Sequence, residues 1–428
     1  MLCNEWKNDL LQGRLEPELG SLYGGCQEIQ LMRYEALLDV FAGFFGGDVS
    51  VISAPGRTEL AGNHTDHQNG IVLCAAVTRD MLAAVSPRDD GHVRIISSGF
   101  GEISLDLDSF DPIPEEQGTS EGIVRGIAAG FRKLGYTVGG FNAVMTSDVP
   151  AGGGLSSSAA FEILTGTVFS HLYNDDCLEA LSLAIIGQGA ERDYFGKPSG
   201  LMDQTASACG GITRIDFADA SHPEVERLDY DFRSGGYVLC AVDTRSSHAG
   251  LTDDYASIPM DMRRVASFFG CSVLREVDPS VFRNAVNRTD IASCVSPEAL
   301  LRAEHFFEEN ERVDLMAGAL LRGDMPLYIA GMNASGISSR EKLRNVVPSS
   351  HPDRIEMAEA LDQAEALLSG KGAWRIHGGG FAGCIQCLVP EQIFPSFCSS
   401  MDGFYGPGSC FELRIRPCGP HILGSGPV

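Results

Sequence analysis

What the chain lacks narrows its possibilities first. Nowhere in its 428 residues does an apolar run approach the roughly twenty residues that a membrane-spanning helix needs. Positive charge is scarce: 32 Lys and Arg face 57 Asp and Glu, a formal net charge of −25. So acidic a chain is not expected to bind nucleic acid or an anionic membrane surface. The opening Met1-Leu-Cys-Asn-Glu-Trp6 has neither the basic start nor the long apolar core of an export signal. Thirteen cysteines are present, but they are scattered, odd in number and often set inside apolar runs, as at Cys74, Cys240 and Cys384. Reduced core thiols in a cytoplasmic protein are therefore expected. Internal repeats and low-complexity segments are absent.

What is present is ordinary in bulk, with 44% apolar and 21% charged residues. The length suggests about two domains. Residues 1–30, polar and weakly periodic, read as an N-terminal helix or extension, 31–235 as a first domain and 236–428 as a second. Helical spacing is expected over 32–45, 121–134, 156 onward, 178–195 and 254–269, then over 296–321, 326–344 and 355–368. Strands are expected at 49–53, 71–77, 82–86, 93–98, 103–107, 141–145, 212–217 and 228–232. In the second domain they are expected at 237–242, 373–376, 384–389 and 411–416.

The chain is organised around Ala54-Pro-Gly-Arg-Thr-Glu-Leu-Ala-Gly-Asn-His-Thr-Asp-His-Gln-Asn-Gly70, a polar stretch between two apolar runs. Loops between buried strands are usually short and plain. This one holds an arginine, two histidines, an aspartate and an asparagine, groups that need partners such as a polyhydroxylated ligand. A solvated loop with an Asx turn is the alternative. Gly152-Gly-Gly-Leu-Ser-Ser-Ser-Ala-Ala160 joins a glycine turn to a helix start, where inward N–H groups, the helix dipole and hydroxyls favour phosphate. It is no Walker loop, because no Gly-Lys-Ser/Thr lies near it. A serine-capped helix after a flexible turn would look similar. A second glycine run, His377-Gly-Gly-Gly-Phe-Ala-Gly-Cys384, sits between two strands. Cys384 and Cys387 have zinc-type spacing, but on a strand they face opposite ways, so a metal is not expected there.

These three runs, in this order, resemble the signatures of galactokinases, members of the GHMP small-molecule kinase family. The first resembles Gly-Arg-x-Asn-x-Ile-Gly-Glu-His-Thr-Asp-Tyr. Gly56, Arg57, Gly62, His64, Thr65 and Asp66 keep it, while Glu59, Ala61, Asn63 and His67 depart from it. The second matches Pro-x-x-x-Gly-Leu-Ser-Ser-Ser-Ala without departure, and the third has Ala382 in place of a glycine. Gly200-Leu-Met-Asp-Gln204 resembles Gly-x-Met-Asp-Gln.

The resemblance implies an α+β, two-domain GHMP kinase fold. Its N-terminal domain is ribosomal-protein-S5-domain-2-like with a left-handed βαβ unit, its C-terminal domain ferredoxin-like, and the active site lies between them. It implies transfer of the γ-phosphoryl group of MgATP to the anomeric hydroxyl of galactose. Asp203 is then the expected base, with Arg57 bridging it to the phosphoryl group. Arg57, Asn63, His64, Thr65, Asp66, Asp203 and Tyr255 are the expected sugar ligands. Gly152, Gly153, Gly154, Ser156, Ser157 and Ser158 would hold ATP, and Ser158 with Glu191 would hold Mg2+. Asn63 would face the sugar 6-hydroxyl in place of a glutamate, so that Asn63→Glu preserves or tightens galactose affinity. The alternatives are a kinase for a related sugar (galacturonate, N-acetylgalactosamine or a pentose) and a non-catalytic sugar sensor. A monomer or weak homo-oligomer is expected.

Overall fold

The computed structural model describes residues 1–25, 27–97, 101–150, 154–197, 199–286 and 288–428. Two sheets organise it. The first takes β1 (Ser50–Ala61), β2 (Ile71–Pro87), β3 (His92–Ser97), β4 (Gly101–Asp106), β5 (Phe141–Ser147), β6 (Ile212–Asp216) and β7 (Glu224–Leu228). The second takes β8 (Tyr237–Asp243), β9 (Ala373–Ile376), β10 (Cys384–Pro390) and β11 (Cys410–Glu412). The chain then returns to the first sheet as β12 (His421–Ile422).

The first sheet runs β12-β1-β2-β5-β3-β4, with β6 on β2 and β7 on β6. All its pairs are antiparallel except β3 with β5, which are joined through β4 and the helix Ser120–Lys133. That parallel pair and its helix make the βαβ unit. The second sheet is antiparallel in the order β11-β8-β10-β9, which is fourth-first-third-second by sequence. Helices intervene after its first strand and, at Phe394–Tyr405, after its third. This is the ferredoxin-like arrangement.

Period-2 alternation explains how the first sheet is buried on both faces. Ile52, Ala83, Val85 and Met145 pack into the main core with the helices Ser157–Tyr173 and Met202–Cys209. Val51, Leu82, Ala84 and Val144 face the other way, under Trp6, Leu19, Leu22 and Phe41 from the helices Cys3–Leu11, Glu16–Tyr23 and Gln27–Phe44. Each large side chain so buried contributes about 1.5–3 kcal/mol. The segment read as an extension is thus the cover of the sheet's second face. Asp80, fully buried on β2, receives hydrogen bonds from Arg33 and Arg416, tying that cover and the C-terminal tail to one strand.

Several sequence expectations shift. β1 does not stop at residue 53 but continues to Ala61, bulging between Pro55 and Arg57 and again between Glu59 and Ala61. The runs 71–77 and 82–86 form one long β2. The strand expected at 228–232 lies earlier, at β7, and the last expected strand, 411–416, shortens to β11. Cys384 packs in the main core and Cys387 in the core on the other face of its sheet, as their spacing on β10 requires. Among the described residues, no helix is long and apolar enough to cross a membrane.

Candidate active site

The bulged end of β1 carries the first functional group. Arg57, 7% exposed, grips Asp203 with two parallel bonds, Nε to Oδ1 at 2.7 Å and Nη2 to Oδ2 at 2.6 Å. Its Nη1 donates to the Gly154 carbonyl. One guanidinium thus joins the Gly-Leu-Met-Asp-Gln segment to the glycine-serine run. Burial alone would raise the Asp203 carboxyl, but the charge and bonds of Arg57 and a bond from Ser156 outweigh it and hold Asp203 below its ordinary value. Asp203 sits in the first turn of the helix Met202–Cys209, where the dipole adds to the same effect.

The glycine-serine run begins outside the described residues, where Gly152 and Gly153 lie. From Gly154 on, the backbone turns through two left-handed residues, Gly154 (φ +73°) and Ser156 (φ +55°), into the helix Ser157–Tyr173. A Cβ on Gly154 would approach His377 Nδ1 to 2.8 Å, so this close pass needs glycine. Ser157 and Ser158 face a cavity of about 280 Å3 whose walls include Met81, Ile103, Phe161, Phe195, Glu191 and Lys197. Apolar walls with hydroxyls at one end suit a nucleotide base and its phosphates. Ser158 Oγ lies 3.4 Å from Glu191 Oε1. Glu191 stands on the π-turn Ala190–Phe195 that follows the helix Ala180–Gly189. A hydroxyl and a carboxylate beside a phosphate site fit a hard, oxygen-loving cation such as Mg2+.

The loop after β1 places the remaining expected ligands. His64 and Asn69 adopt left-handed backbone, and the Thr65 hydroxyl braces the loop on the Gly62 and Ile71 carbonyls, both at 2.8 Å. Asp66 lies against Gly200 and accepts from the His67 N–H at 2.8 Å. Burial, and after it the charge of Asp203, pushes its carboxyl up to about 7. Burial holds the His64 imidazole neutral, down to about 4. Three side chains then meet three successive carbonyls of the last glycine run. Asn63 Nδ2 reaches Gly378 at 2.6 Å, His64 Nε2 reaches Gly379 at 3.0 Å, and Tyr255 Oη reaches Gly380 at 2.5 Å. Phe381, next in line and buried, takes a left-handed φ of +60° and packs edge-on to Tyr255. For so bulky a residue that backbone is strained.

Arg57, Asp203, Ser156, Asp66 and His64 therefore gather at one place, with Tyr255 on the glycine run beside them. Asn63 and Thr65 are fully buried, with side chains spent on the protein itself, and both ring nitrogens of His64 also meet protein partners, His67 and the Gly379 carbonyl. The Asn63 amide nitrogen also reaches Glu59 at 3.0 Å, and its oxygen accepts from Asn345 at 2.8 Å. Sequence reasoning missed what stands behind this loop. Glu309 accepts from the Gly62 N–H at 3.1 Å, His305 bonds the Asn63 carbonyl at 2.9 Å, and Arg375 pairs with Glu59 at 2.5 Å. His305 and Glu309, four apart on the helix Pro297–Arg322, share one face, but nothing local separates that from a core pattern.

Comparison with known proteins finds two family models and a shared fold. Residues 39–87 match the galactokinase galactose-binding signature, and residues 122–211 match the GHMP kinases N-terminal domain. The fold is similar to that of Lactococcus lactis galactokinase complexed with galactose. That match has a TM-score of 0.76 and 24% identity over 90% of this chain and 98% of that one. Methanococcus jannaschii mevalonate kinase superposes with a TM-score of 0.61 and 16% identity, covering 86% and 99%. Streptococcus pneumoniae phosphomevalonate kinase, solved with phosphomevalonate and AMPPNP, gives 0.59 and 11%, covering 87% and 99%. The chain thus carries a match to the galactose-binding signature on its bulged β1, a match to the N-terminal domain of GHMP kinases around its serine run, and a fold similar to that of these kinases.

Proposed function

We propose that the chain transfers the γ-phosphoryl group of MgATP to the anomeric hydroxyl of galactose, giving galactose 1-phosphate and ADP. The observation that carries this reading is the Arg57–Asp203 fork between the sugar loop and the phosphate run. An ionised Asp203 beside the incoming hydroxyl accepts its proton, or orients it for attack. Arg57 keeps that carboxylate charged and offers its guanidinium to the oxygens over which transferring charge spreads. His64 and Asp66 hold ring hydroxyls, and Tyr255 borders them. Ser156, Ser157 and Ser158 and the helix N-terminus at Ser157 hold phosphate. Ser158 and Glu191 would hold Mg2+, which would supply neutralisation of phosphate charge there.

A related sugar is the second reading, and one observation favours it. The side chain at position 63 is enclosed within the protein, so this wall of the site lacks the carboxylate of the galactokinase signature. An ADP-release assay across a panel of free hexoses, pentoses, N-acetylgalactosamine and galacturonate decides the matter. Galactose should give the highest kcat/KM. Absence of release above the ATPase background with every sugar would leave a sensor instead.

A further inference from the structure

One charged side chain of the nucleotide cavity has no part in the reading above. Lys197 lines the cavity with Ser157, Ser158 and Glu191, and it is the one cationic side chain among the described residues that do so. Its ammonium donates to Glu191 Oε1 at 2.6 Å, although 56% of the side chain is open to solvent. Resting on the phosphoryl-transfer reading, we propose that Lys197 is a nucleotide-phosphate ligand that shares Glu191 with the divalent cation. Ammonium and cation compete for one carboxylate oxygen, and the ammonium's other partner is a phosphate oxygen.

The carboxylate itself is fixed. Gln204, fully buried, donates its amide nitrogen to Glu191 Oε2 at 2.9 Å and to Glu162 Oε2 at 2.8 Å, bolting two helices together behind the cavity. Only Oε1 of Glu191 is left for the cavity side, and Lys197 and Ser158 both reach it. The part that can move is the lysine, a compact charge on a flexible four-carbon stem. Charge balance gives it somewhere to go. The charge of Arg57 is offset by its pairing with Asp203, while Glu162 and Glu191 bring two further carboxyl groups to the neighbourhood of a polyphosphate. In a protein of net charge −25, that ligand needs a local cation besides its metal.

Two titrations on wild type, Lys197→Met, Lys197→Arg and Ser158→Ala test this: MgADP by calorimetry and Mn2+ alone by electron spin resonance. Loss of a charge-assisted phosphate contact should weaken MgADP roughly tenfold or more in Lys197→Met, and Lys197→Arg should retain most of the affinity. Mn2+ alone should bind Lys197→Met more tightly, because its competitor is gone. A merely structural surface pair moves neither in that combination. Unchanged MgADP affinity, or Mn2+ affinity that does not rise, overturns the proposal. If Ser158→Ala weakens MgADP and Lys197→Met does not, only the lysine's role falls. A wild type that takes up no MgADP brings down the kinase reading with it.

Discussion

Asn63 and Glu59, four residues apart across a bulge, hold each other: the amide nitrogen lies 3.0 Å from Glu59 Oε1, and both side chains are buried. Galactokinase signatures carry asparagine at position 59 and glutamate at position 63, so the exchange here is reciprocal. Arg375, fully buried, neutralises the carboxylate in its new place. Burial still raises the Glu59 carboxyl above its usual range, with Arg375 opposing that rise.

The buried geometry therefore argues against a benign Asn63→Glu. A second carboxylate would sit within hydrogen-bond distance of Glu59, with Arg375 the one cation paired there among the described residues. The expected loss is about 3 kcal/mol or more of folding stability. The double variant Glu59→Asn with Asn63→Glu should recover at least half of it. Urea unfolding of the four proteins gives the coupling directly. Strictly additive losses would show that the two positions do not act as a unit.

Asp203→Asn should lower turnover about 10²–10⁴-fold and leave MgADP affinity nearly unchanged. The amide removes the proton acceptor, while the proposed phosphate ligands Ser157 and Ser158 on the cavity wall are untouched. Single-turnover rates and calorimetry together separate this from a structural defect, which would reduce both.

The helix and strand runs of the chain were legible wherever burial is one-sided or the run is strongly apolar. What misled was the end of β1. Arg57, Thr58 and Glu59 read as loop because they are polar, yet they are strand residues covered by the second sheet. Their partners are Gln386 and His377 for Thr58 and Arg375 for Glu59, more than three hundred residues away in the chain. No local pattern encodes such pairings. Arg57, His64, Asp66 and the serines stood out in the sequence because they are particular residue types at fixed spacing in runs that resemble known signatures. Position 63 was misjudged in orientation for the opposite reason: the residue's identity was visible, but the exchange with Glu59 matters only through Arg375.

Gly200→Ala should cost sugar affinity and spare nucleotide binding. A Cβ there would lie 1.7 Å from Asp66 Oδ2 and 2.6 Å from its Cγ, so the carboxylate must swing away. Losing one charged hydrogen bond to a sugar hydroxyl corresponds to roughly a tenfold or greater rise in KM. Equal losses of sugar and MgADP affinity would mean that the helix start, rather than Asp66, had been disturbed.

Asp66 gives the site a pH dependence near neutrality. Burial first, then the negative charge of Asp203, raises its carboxyl from the ordinary 3.8 to about 7. An ionised carboxylate accepts a sugar hydroxyl's hydrogen bond more strongly than a neutral acid does. The apparent KM for the sugar should therefore fall as pH rises from about 6 to about 8, and Asp66→Asn should flatten that profile while raising KM overall. Stability should move the other way. The folded chain holds this proton more tightly than the unfolded one, so the fold gains below the unfolded value and loses stability as pH rises from 3.8 through about 7. Asp66→Asn has no proton to lose, and its melting temperature relative to wild type should climb through that window and level off above it. The two profiles share one titrating group, so they must bend at the same pH. A KM profile that bends there while the stability difference stays flat would place the titration on the sugar-bound state or another residue, and Asp66 would lose its role.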